Sequence, residues 1–161
     1  MIKPLLFLGM AMGVLTGCQS PSWPGAHSEQ ITELHLLGTP VAVNIDNIPG
    51  PDAVGVRVYA SNATTANAIR IAAGSLDIHL YDGRVAPEDA ITAAPLVRFS
   101  YSAAQLRTLE HKTAVGISYN FLAAWGEHKP TKDRVTIVAT YKGPGQSIVR
   151  SPPITVPMGR Q

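Results

Sequence analysis

Apolar and polar residues alternate along most of the chain from Ile31 onward. In "AVGVRVYA", Val54, Val56 and Val58 share one side, and Arg57 and Tyr59 share the other. In "SLDIHLYDG", Leu76, Ile78 and Leu80 alternate with Asp77, His79 and Tyr81. "LVRFSYS" sets Val97, Phe99 and Tyr101 against Arg98 and Ser100, and "PVAVNID" places Val41, Val43 and Ile45 on one face. "AVGISYNFLAAW" aligns Val115, Ile117, Tyr119 and Phe121, and "RVTIVATYK" aligns Val135, Ile137, Ala139 and Tyr141. Successive side chains of a strand point to opposite faces, so a period of two predicts strands with one face on a core. "ITELHLLG" opens the series and "SIVRSPPITVP" closes it. Pro152-Pro153 interrupts that last strand, and proline cannot donate to a ladder, so the segment belongs at an edge or a bulge.

Turn chemistry separates these runs: "DNIPGPD", "YDGR", "GEHKPTKD" and "KGPGQ" are rich in Gly, Pro, Asn and Asp. The one helical pattern is "SAAQLRTLEH", where Ser102 followed by Gln105 resembles a capping box and Leu106 and Leu109 share a face. It predicts one or two helical turns crossing between strands. The expected fold is all-β: an antiparallel β-sandwich, Ig-like or transthyretin-like, of about seven to nine strands with one short helix. A closed barrel is the alternative arrangement. No Cys–Trp–Cys pattern exists, so an antibody-type domain is not expected. With 161 residues and no internal repeat, a single sandwich domain over residues 31–161 accounts for the body of the chain.

The residues before it read differently. "MIKPLLFLGMAMGVLTG" carries Lys3 and then an apolar run from Pro4 to Leu15. A membrane-spanning helix needs about 20 apolar residues, whereas a signal-peptide core needs only about 7–15. Residues 1–17 are therefore expected to be a signal peptide. Leu15-Thr16-Gly17-Cys18 resembles the bacterial lipobox. That resemblance implies a lipoprotein: diacylglyceryl transfer to the Cys18 sulfur, cleavage before Cys18, and acylation of the new amino group. Two or three acyl chains would hold the protein on a membrane durably, where one chain binds only marginally. In lipoproteins of two-membrane bacteria an Asp after the cysteine retains the protein at the inner membrane. Gln19 stands there in this chain, which implies the outer membrane, facing the periplasm. Residues 18–30 are rich in Ser, Pro and Gly and read as a lipidated, flexible tether. Fully extended, such a segment reaches at most roughly 40 Å.

Charge and motifs narrow the function classes. Thirteen Lys and Arg stand against eleven Asp and Glu, a formal net charge of +2, with no basic run to serve as a nucleic-acid footprint. One cysteine excludes an intrachain disulfide framework and any multi-cysteine metal or iron–sulfur site. Once lipidated, Cys18 offers no thiolate. There is no G-x-S-x-G, Walker loop, dinucleotide-binding glycine pattern or H-E-x-x-H. No catalytic residue, cofactor or metal is assigned. The expectation is a non-enzymatic structural or protein-interaction module, lipid-anchored in the cell envelope beside a protein partner.

Three places carry candidate chemistry. Asp77 and His79 share one face of a strand and form a polar row with Tyr81. The row reads either as a partial metal or proton-transfer site in a small-ligand-binding sandwich, or as a solvated outer face. "NIDNIPGPD" offers oxygen atoms of Asn44, Asp46, Asn47 and Asp52, the ligand type calcium takes, or else a plain interstrand turn. "AAWGEHKPTKDR" is a candidate interaction loop, with Trp125, Glu127, His128 and Lys129 suited to protein contact. Its alternative is that Trp125 caps the core at the end of a strand. Finally, "GVRVYA", Gly55–Ala60, together with the lipobox, is similar to the outer-membrane lipoprotein of type VI secretion systems. That similarity implies a component of an envelope assembly.

Overall fold

The structure, a computed structural model, describes residues 30–146 and 148–159. The signal segment 1–17, Cys18 and the tether as far as residue 29 lie outside the described residues. Within them the alternating runs form β1 (Glu33–Gly38), β2 (Ala53–Ser61), β3 (Ser75–Asp82), β4 (Val97–Ser102), β5 (Glu110–Thr113), β6 (Gly116–Ala124), β7 (Arg134–Lys142), β8 (Ile148–Arg150) and β9 (Ile154–Pro157). Every ladder is antiparallel. The first sheet has the order β1-β2-β6-β5, and the second has the order β4-β3-β7-β8, with β9 also on β7. Lettered along the chain, this is A-B-E-D against C′-C-F-G, the strand order of an immunoglobulin sandwich with one strand added beside C. The chain is an all-β sandwich, as its alternation predicts.

The core lies between the sheets. Val54, Val56 and Val58 of β2 and Tyr119 and Phe121 of β6 meet Leu76, Ile78 and Leu80 of β3 and Val135, Ile137, Ala139 and Tyr141 of β7. Each fully buried aliphatic side chain contributes about 1.5–3 kcal/mol relative to an exposed one. The capping box forms as well. Ser102 caps α1 (Ala103–Thr108), Gln105 returns the contact, Leu106 is buried, and the helix carries the chain from the second sheet to the first. Between β8 and β9, Pro152 and Pro153 break the ladder as expected of a bulge. Ser151 bridges the gap: its hydroxyl accepts the N–H of Ala139 at 3.0 Å, and its own N–H reaches the Ala139 carbonyl.

Two runs depart from their pattern. "PVAVNID" makes only an isolated bridge between Val43 and Ala53; Ala42 is buried, while Val41 and Ile45 are exposed. The cause is local. The Asn44 side chain takes the N–H groups of Asp46 and Asn47, Asp46 takes that of Ile48, and Asp52 takes that of Ile45. Side-chain acceptors of this kind compete with a ladder for backbone donors. The second run, "AVGISYN", breaks at a hairpin: Thr113 pairs with Gly116, and Val115 stands exposed in the turn. Gly116 has φ +110°, and a Cβ there would lie 2.2 Å from the Ala68 carbonyl oxygen, so only glycine fits.

Tyr119 supplies a test of the core. Its ring is fully buried, and its hydroxyl accepts the N–H of the equally buried Ile71 at 2.7 Å. Tyr119→Phe leaves that N–H unpaired and should destabilise the fold by about 1–3 kcal/mol, read as a lower urea midpoint at unchanged slope. An unchanged midpoint would contradict this packing.

Candidate functional site

The polar row of β3 meets its partners through register. Asp77 lies directly across from Ser100 on β4 and from Thr140 on β7, and Thr140 lies across from Arg150 on β8. His79 faces Arg98 on one side and Val138 on the other, while Ser75 faces Lys142. Arg98 and Lys142 thus flank Asp77 on its two diagonals, about 7–8 Å away along the backbone and within reach of long side chains. Both converge on one oxygen. Asp77 Oδ2 accepts from Arg98 Nη2 at 2.7 Å and from Lys142 Nζ at 3.3 Å. The side chain of Asp77 is only 2% exposed, whereas those of Arg98 and Lys142 are each 47% exposed.

At Asp77 the second sheet is not a solvated outer face, although Arg98, Ser100 and Arg150 around it stay exposed. The segment between β3 and β4 folds back across it. Tyr81 donates its hydroxyl to the Ala90 carbonyl at 2.9 Å, and Thr136 donates to the Gly83 carbonyl while accepting the Val85 N–H. Asp82 ties the start of that segment to the loop before β7, taking the N–H groups of Thr131 and Lys132. The result is a cleft of about 200 Å³ with Asp77, His79, Arg98, Thr140, Lys142 and Arg150 along its polar side and Ala90 and Ile91 on the covering side.

The electrostatics follow from these contacts. Burial pushes the Asp77 carboxyl up, but the hydrogen bonds from Ser100, Arg98 and Lys142 and the Arg98 charge outweigh it, so its pKa falls below the ordinary aspartate value. Burial and the charges of Arg98, Lys142 and Arg150 hold the His79 ring below its ordinary pKa, against a weaker upward pull from Asp77. The shift favours the neutral imidazole, and its Nδ1 is shielded from water without a hydrogen-bond partner among the described residues. The charges oppose the metal reading of Asp77 and His79. The carboxylate is already engaged by two cations, and a divalent ion would enter beside three. Among the described residues no group of three or more His, Cys, Asp or Glu is placed to hold a metal ion.

The other candidates fall elsewhere. Trp125 is 2% exposed and belongs to the core, so its indole packs at the end of the sandwich. Glu127, His128 and Lys129 are exposed beyond it. In the Asn44–Asp52 turn, Asn44 Oδ1, Asp46 Oδ1 and Asp52 Oδ1 accept backbone N–H groups, whereas Asp52 Oδ2 is buried without a partner among the described residues. Gly55–Ala60 lie in the middle of β2. Cys18 lies outside the described residues. Arg98, Lys142 and Arg150 are the residues that sequence patterning alone did not single out; each stood at an outward strand position, but only register shows that they converge. Comparison with family models, with curated proteins and with solved structures finds no match to this chain.

Asp77 gives this site a pH signature. A carboxyl whose folded pKa is depressed contributes stability that is present above the unfolded value, about 3.9, and is lost as pH falls through the folded value. Asp77→Asn should cost about 1–3 kcal/mol at pH 7, since Arg98 and Lys142 can rehydrate, and should flatten the loss of stability below about pH 4. Urea midpoints across that range check both. A variant as stable and as acid-sensitive as the parent would contradict the ion-pair geometry.

Proposed function

We propose that this chain is a lipid-anchored, non-enzymatic binding module of the bacterial cell envelope, held at the outer membrane and facing the periplasm. The observation that carries the reading is Leu15-Thr16-Gly17-Cys18 directly behind a short apolar run and ahead of a segment rich in Ser, Pro and Gly. Such a run is too short to span a bilayer but long enough for a signal core. Lipid on Cys18 would replace a membrane-spanning element; among the described residues no helix is long and apolar enough to cross a membrane.

The body supports a binding role over catalysis. In the cleft the one carboxylate is locked by cations instead of being paired with a nucleophile, and among the described residues no carboxylate hydrogen-bonds the imidazole beside it. General acid–base work needs a group poised to exchange a proton with substrate. An ionised, fully partnered Asp77 is not so poised. A module that holds a ligand or a partner fits this arrangement, on a sandwich that the tether lets stand clear of the lipid.

Changing Cys18 tests the anchor. The full chain should sediment with membranes and incorporate labelled palmitate in a bacterial host, and Cys18→Ser should abolish the label and leave the protein unprocessed or released. Identical fractionation and identical cleavage of the two proteins would contradict the lipoprotein reading.

A further inference from the structure

We propose that the cleft on the outer face of the second sheet is an oxyanion site, taking a terminal carboxylate or phosphate group between Arg98, Lys142 and Arg150. Three observations carry it. The first is charge. Three cationic side chains line the cleft and Asp77 is the only carboxylate among its lining residues, so the pocket keeps a net positive charge after Asp77 is paired. Clefts of one sign with low-dielectric walls concentrate counter-charged ligands.

The second observation is the spare donors. Asp77 engages one guanidinium nitrogen of Arg98 and one direction of the Lys142 ammonium. A guanidinium carries five N–H donors and an ammonium three, so both retain donors for a second anion. Arg150 has no ion-pair or hydrogen-bond partner among the described residues, although its charge is felt by both His79 and Tyr81. Guanidinium groups bind planar carboxylates and phosphate oxygens alike, frequently through two parallel bonds. The third observation is His79. His79 lines the cleft beside Arg98, and its Nδ1 is shielded from water and unpartnered among the described residues, so its ring lies where an anion between the cations would be felt.

Size sets the scale of the ligand. Small-molecule pockets commonly enclose about 300–1,000 Å³. A cleft of about 200 Å³ holds one oxyanion group and little more, so it grips the charged end of a larger ligand. Asp77 acts as a positioning residue: one of its oxygens draws the Arg98 and Lys142 side chains together at the cleft wall. The site deepens the reading of the chain as a binding module and is independent of the lipid on Cys18.

The test is a titration of the full chain carrying Cys18→Ser, in a non-ionic detergent, at constant ionic strength. Inorganic phosphate and acetate are added in separate arms while the His79 ring and arginine side-chain N–H signals are followed by NMR. Saturable shifts at His79 are expected with at least one of the two anions. Arg150→Gln should weaken that response about tenfold, the loss of one charge-assisted bond, and Arg150→Lys should restore part of it. Arg57→Gln, an exposed position on the opposite sheet, should leave it unchanged. A third arm replaces the small anions with phosphatidylglycerol vesicles, and an Arg150-dependent response there assigns the oxyanion to a lipid headgroup. Responses that persist in Arg150→Gln, or that Arg57→Gln weakens equally, would mean surface screening and would overturn the site. So would a parent protein that shifts with none of the three probes. Because Cys18 is already substituted, failure here leaves the anchor untouched, and failure of the anchor leaves this result standing.

Discussion

A carboxylate removed from water has to be neutralised where it stands, because an isolated buried charge costs far more than any single packing contact returns. Asp77 imposes that condition on this sandwich. It is buried on a central strand between β4 and β7, and it stays ionised because Ser100, Arg98 and Lys142 converge on it. The antiparallel register that places those groups also fixes how β3 pairs with β4 and β7. A one-residue slip would turn Asp77 into the core and Ile78 out of it. Core and cleft are therefore two faces of the same constraint.

The asymmetry between the sheets follows. On the first sheet, outward positions such as Leu37 and Leu122 remain exposed. On the second, β7 is buried on both faces from Val135 to Tyr141, and the polar residues under the cover need partners. Three cations gather around one carboxylate, and the excess of positive charge is what gives the cleft a chemistry of its own. The geometry places that cleft on a rigid sheet of the sandwich, with the Asp82 bonds to Thr131 and Lys132 tying its covering segment to a neighbouring loop. Residues held by ladders keep their positions better than residues on loops do, which suits the binding role proposed for the cleft.

Much of this architecture was legible in the chain. Val54, Val56 and Val58 alternate cleanly because β2 has one buried face, and the Ser102–Gln105 cap is a local bond that needs no tertiary context. Pro152-Pro153 marked the interruption between β8 and β9 for the same local reason. "PVAVNID" misled because its hydrophobic period is right while its asparagine and aspartates capture the backbone donors a strand would need. Asp77 and His79 were visible as a pair, but the burial of Asp77 and the cations set against it depend on strand pairing. The roles of Arg98, Lys142 and Arg150 depend on pairing among β3, β4, β7 and β8, and period-two patterning shows which residues face outward without showing which strands are neighbours. Trp125 was open to two readings for a similar reason, since a strand end and a loop base look alike until the core is assembled.

The state of the Asp77 carboxyl tests the account most directly, because burial, register and the surplus of positive charge all meet there. Its titration can be followed by NMR at the side-chain carboxyl carbon of the folded protein. A midpoint below the ordinary aspartate value of about 3.9 is the result this structure predicts. A midpoint at or above that value would mean that burial outweighs the cations, that Asp77 is not paired as described, and that the cleft does not carry the charge assigned to it.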